Sequence, residues 1–137
     1  MTVESFAYEG EGIKNVYLNE KWLIAIKNWR EANDVEQISR LEVHFKTDEQ
    51  FVLLAGSAVL IYAENLDETS KIQATKLEHG KVFHVPQNLW FNNVLSKDAK
   101  IIYIEDSDTK AAPDNSIYKE LTPAQIEAAK KKVRALL

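Results

Sequence analysis

The chain has 137 residues, 45% hydrophobic and 28% charged, a net charge of −4 and no cysteine. It is sized for one domain with its own core; the acidic balance argues against a nucleic-acid partner, which clustered Lys and Arg would hold, and the lack of cysteine removes disulfides, thiolate metal sites and a thiol nucleophile. No apolar run approaches the roughly 20 residues of a spanning helix, and MTVESFAYEGEG lacks the basic-then-apolar pattern of a signal peptide, so the expectation is a cytoplasmic protein with no membrane partner.

In chain order, Val16 to Leu18 and Trp22 to Ile26 are short β-prone runs separated by a turn at Asn19-Glu20-Lys21. After the polar stretch Arg30 to Glu36, the segment Ile38 to Phe45 alternates Leu41, Val43 and Phe45 with Arg40, Glu42 and His44. That is the period-two pattern of a strand with one apolar and one polar face. Phe51 to Ala55 and Ala58 to Tyr62 form two more strands around Gly56-Ser57. A charged loop spans Asn65 to Lys71, a weaker strand Ile72 to Leu77, and a turn His79-Gly80. Val82 to Val85 is a strand ended by Pro86, which cannot donate to a central ladder. Trp90 to Leu95 and Ile101 to Ile104 complete the set. Strands at short intervals with no helical period between them predict an all-β sandwich or barrel, over about residues 16 to 106.

Lys110 to Asn115 is a change of composition before a helix over about 122 to 137. Thr122 is a natural N-cap and Pro123 a natural first helical residue. Ile126, Ala129, Val133 and Leu136 make one apolar stripe, while Lys130, Lys131, Lys132 and Arg134 suit the negative end of the helix dipole. The stripe has to dock, on the outside of the barrel or on a partner subunit.

Glu42-Val-His44, four residues, Glu49, six residues and Gly56 resemble the first motif of the cupin superfamily, with Glu42 where the family has its first histidine. Gly80, five residues and Pro86-Gln-Asn88, followed by Leu89-Trp90-Phe91, are similar to the second motif, with Phe91 in the place of its histidine. The resemblance spans Ile38 to about Leu95 and implies an all-β, single-domain cupin-type jelly-roll barrel with a C-terminal α-helix. It also implies that Arg40, Glu42 and His44 face the barrel interior, with Arg40 pairing with Glu42 or Glu49, and that Leu41, Val43 and Phe45 pack outward.

Metal-binding members of that family converge three histidines and a glutamate on one ion. Only His44 and Glu49 remain here, so no cofactor is favoured; if a divalent metal binds, its ligands are Glu42, His44 and Glu49. The expected function is therefore binding of a small polar molecule, carbohydrates being the leading class, by Arg40, Glu42, His44, Glu49 and an apolar wall of Trp90 and Phe91. One alternative is a sugar isomerase, epimerase or metal-dependent enzyme in which His44 and Glu49 are catalytic, since a carboxylate beside an imidazole tunes it for proton transfer. A second is an interaction module, and a homodimer is expected with any of these functions. His79 is expected in a solvated turn; the facing of His84 is open.

Overall fold

The computed structural model describes residues 1–109 and 115–137; of the Lys110 to Asn115 stretch, all but Asn115 lies outside the described residues. The strands are β1 (Ile13–Leu18), β2 (Trp22–Asn28), β3 (Arg40–His44), β4 (Glu49–Ala55), β5 (Ala58–Ala63), β6 (Gln73–Lys76), β7 (Val82–Val85), β8 (Trp90–Leu95), β9 (Lys100–Asp106) and β10 (Ser116–Glu120), followed by helix α1 (Pro123–Leu136). Two five-stranded antiparallel sheets result, ordered β1-β2-β9-β4-β7 and β10-β3-β8-β5-β6. The expected all-β architecture with one C-terminal helix is what forms. Strand β10 is an addition to the expected set, pairing in register along β3 from Ser116↔His44 to Glu120↔Arg40.

Alternation along the strands gives two apolar layers. Leu23, Ala25, Phe51, Leu53, Leu60, Val85, Phe91, Leu95 and Ile101 pack together between the sheets. Leu41, Val59, Ile61 and Val94 form a second layer with Leu121, Ala129 and Val133, so α1 covers the outer face of the second sheet. The stripe read from the helix sequence is the docking face, Ile126 and Leu136 packing at its margins. Thr122 accepts a hydrogen bond from the Gln125 N–H and donates its own N–H to the Gln125 side chain, a reciprocal cap worth about 1 kcal/mol.

Gly56 stands at φ 68° in the turn between β4 and β5, where a Cβ would lie 2.6 Å from the Ala99 backbone nitrogen. Glycine is required there on both counts. Asn88, in the place of a motif glycine, also adopts a left-handed φ of 68°, a conformation asparagine tolerates better than most residues. Its N–H donates to the His44 carbonyl at 2.8 Å, tying the loop before β8 to the end of β3. The skeleton of the second motif thus keeps its turn without its glycine.

Candidate functional site

Because cross-strand partners share a face, the ladders show which side chains meet inside the barrel. Glu49 on β4 is directly opposite Glu105 on β9, and Glu105 is opposite Leu23. On the facing sheet, Glu42 and His44 of β3 lie beside Tyr118 and Ser116 of β10. Leu41, on the opposite face of β3, belongs to the layer under α1. Burial of both faces of β3 explains why alternation alone could not decide its orientation. Phe45 lies beyond the strand and is exposed.

His44 is the centre of the arrangement. Its Nε2 is 3.4 Å from Glu49 Oε2, an ionic contact too poorly aligned to be a hydrogen bond, and Nδ1 is 2.6 Å from Ser116 Oγ. Burial disfavours the imidazolium, but the Glu49 carboxylate, aided by Glu42 and Glu105, outweighs it and raises the pKa above its ordinary value. Glu42 is also shifted upward, first by burial and then by the charge of Glu49, against the opposing pull of His44, Lys27 and a hydrogen bond from Tyr118. Burial, with the charges of Glu105, Glu49 and Glu42, pushes the Tyr103 phenol upward as well.

His44, Glu49 and Glu105 are all buried, and one donor atom from each lies within 4.8 Å of the others. Two carboxylates directly across a ladder repel unless a proton or cation lies between them. Glu49 Oε2 is buried without a hydrogen-bond donor. The Ser116 hydroxyl can fix the imidazole by accepting from Nδ1–H, leaving Nε2 for an ion. An imidazole with two carboxylates is a donor set suited to a divalent transition metal, so the residues present fit such an ion. The trio differs from the set expected from the sequence: Glu105 takes the place given there to Glu42.

Glu42 instead lines a cavity of about 330 Å3 between the sheets, together with Lys27, Arg30, Arg40, Asn92 and Tyr118. Arg40 does not make the expected pair with Glu42 or Glu49; it lays its guanidinium over the Tyr118 ring at 3.9 Å. Phe91 points into the interior, only 1% exposed, edge-on to His44 at 5.6 Å and to Phe51 at 6.1 Å. Its ring fills the space beside the imidazole. Trp90 does not join it in an apolar wall, because consecutive strand residues face opposite sides; Trp90 packs into the layer beneath α1. His84 is exposed on the outer face, 2.8 Å from the Gln50 amide and 3.7 Å from Asp48, and His79 is exposed in its turn.

Sequence reasoning missed Glu105, Lys27, Arg30, Asn92, Ser116 and Tyr118. The signal for two of them was present. Ile101, Tyr103 and Glu105 continue one alternation, as do Leu23, Ala25 and Lys27, and all but the last of each series are apolar or aromatic.

No family model matches the chain, and no curated protein matches it in sequence. Solved structures of similar fold include a cupin-2 domain protein from Shewanella frigidimarina, with 14% identity, a TM-score of 0.53 and coverage of 72% of this chain and 84% of that one. An RmlC-like cupin with a double-stranded β-helix fold from Methanocaldococcus jannaschii has 11% identity and a TM-score of 0.54, over 82% and 97% of the two chains. A variant of Streptomyces PAC13, solved with uridine, has 9% identity and a TM-score of 0.57, over 91% and 98%. The fold is therefore the cupin-type jelly roll. Among the described residues no helix is long and apolar enough to cross a membrane.

Proposed function

We propose that this cupin-fold chain binds a small polar organic molecule, with carbohydrates as the leading class, in the cavity beside the His44–Glu49–Glu105 trio. The observation that carries the reading is the cavity itself, about 330 Å3, with Lys27, Arg30, Arg40, Glu42, Asn92 and Tyr118 converging on it. Such a space can hold a molecule the size of a monosaccharide, and convergent donors and acceptors are what hydroxyl groups require. Uridine in the PAC13 structure is a polar organic molecule found with a protein of this fold. Glu42 connects cavity and trio, since it is two residues from His44 on the same face of β3.

A second reading is favoured by the orphaned Glu49 Oε2: a divalent cation held by His44 Nε2, Glu49 and Glu105. Such an ion would supply Lewis acidity at the edge of the ligand site. In its absence, His44 beside Glu49 is the pair equipped to move a proton. One experiment addresses both readings, namely thermal unfolding with neutral sugars, sugar acids and small carboxylates, run beside elemental analysis after incubation with manganese, iron, nickel or zinc. Ligand at about 100 times its dissociation constant should add about 2.7 kcal/mol of stability. A flat response to every compound would sink the organic-ligand reading; no stoichiometric metal, or one retained in His44→Ala, would sink the cation reading.

The chain is also proposed to form a homodimer. Of the outward set Leu41, Val43 and Phe45, the first two are buried within the chain, Leu41 in the layer beneath α1, and Phe45 is exposed. Support comes instead from the other sheet, where Leu18, Trp22, Leu54, Val82 and Ile104 are exposed. A monomer by light scattering at micromolar concentration would refute it.

A further inference from the structure

Resting on the reading of the cavity as a ligand site, we infer that the ligand is recognised through an oxyanion, a carboxylate or phosphate group seated on Lys27, Arg30 and Arg40. Lys27 is the principal observation. Its side chain lines the cavity from β2, the residue is only 7% exposed, and among the described residues its ammonium makes no hydrogen bond and no ion pair within 4 Å. Buried ammonium groups are costly unless paired. Glu42 and Glu49 act on Lys27 through space without touching it.

The two guanidinium groups at the same cavity are similarly uncommitted. Arg30 gives only its Nε–H, to Asn33 Oδ1 at 3.4 Å. Arg40 stacks on Tyr118, and stacking uses the face of the guanidinium while leaving the in-plane N–H fork for an oxyanion. Neither makes an ion pair among the described residues. Carboxylate partners occur elsewhere on the molecule, where Arg134 and Lys130 both reach Glu36, Lys100 reaches Glu9 and Lys81 reaches Glu78. Three cations without a carboxylate contact therefore gather at one cavity. Its acidic groups, Glu42 and Glu120, are fewer and suit hydroxyls of the same ligand.

The test compares D-glucose, D-glucuronate, D-glucose 6-phosphate and inorganic phosphate by calorimetric titration at neutral pH and low salt, on the wild type, Lys27→Met and Arg30→Gln. The expected result is at least tenfold tighter binding of a charged probe than of glucose, reduced at least tenfold in both variants. Arg30 is exposed, so Arg30→Gln keeps the test sound if Lys27→Met folds poorly. Glucuronate or either phosphate as the preferred probe tells carboxylate from phosphate recognition. Glucose binding as tightly as the charged probes, or charged probes binding the variants undiminished, overturns the oxyanion and leaves the polar cavity standing. Binding of none of the four overturns both.

Discussion

The barrel interior contains two unlike regions that meet at Phe91. On one side Phe51, Phe91, Leu53, Leu60, Leu95 and Ile101 are packed as an ordinary core, each 6% exposed or less. On the other, Lys27, Glu42, His44, Glu49 and Glu105 are wholly or largely removed from water. The first region stabilises the fold through buried apolar area, at about 25 cal/mol per Å2. The second opposes it, because ionisable groups lose hydration and several of them repel. A fold that carries such a cost beside a well-packed core concentrates it at a place of use. Phe91 itself marks the division: its ring contacts His44 on one side and Phe51 on the other.

Breaking the apolar side should give the largest effect. Phe91→Ala removes a fully buried ring that touches both regions, and a loss of about 3–5 kcal/mol is expected from transfer and cavity terms together. Guanidinium unfolding at neutral pH measures it. A loss below about 1 kcal/mol would mean that the barrel collapses around the vacated space, and that the boundary is less rigid than the packing of Phe51 and Tyr103 suggests.

The contrast also explains what was legible in the sequence. Strand positions were, because period-two alternation survives wherever one face is apolar: β7 and β8 have the bounds expected of them, and β4, β5 and β9 lie within a few residues of theirs. Strand β10 was not, since Ser116 to Glu120 carries only one aliphatic residue and follows a polar stretch. Its existence depends on pairing with β3, more than 70 residues earlier for Ser116 with His44. The motif resemblance located His44 and Glu49 because only four residues separate them along the chain, across the connection from β3 to β4. Glu105 arrives through the β4–β9 ladder, and Lys27 through β2, so neither could be joined to the site by spacing along the chain. Trp90 and Phe91 were assigned to one wall against the rule that neighbours in a strand face opposite ways, and β8 obeys the rule.

The charged side yields the smaller effect, with opposite sign. Burial, opposed by Glu42 and Glu49 and reinforced by Arg30, lowers the pKa of Lys27 from 10.5 to about 8. One unit corresponds to about 1.4 kcal/mol, so the charged amine carries a penalty of up to about 3 kcal/mol in the free protein. Between pH 8 and 10.5 the unfolded chain holds the proton that the folded one has lost. Stability from this group therefore rises with pH across that window, and the full penalty applies below pH 8. Lys27→Met keeps the volume and removes the charge, so it should stabilise the protein at pH 7 by about 2–3 kcal/mol and gain progressively less toward pH 10.5. Urea unfolding of both proteins at pH 7 and 10 reads the difference directly. A variant less stable than the wild type at pH 7, or a gap that does not narrow with pH, would show that the amine is already paired in solution and that the interior is less divided than its residues imply. The predicted gain in stability, together with the loss of charged-probe binding in the same variant, would identify Lys27 as a group kept at a cost to the fold for the sake of the ligand.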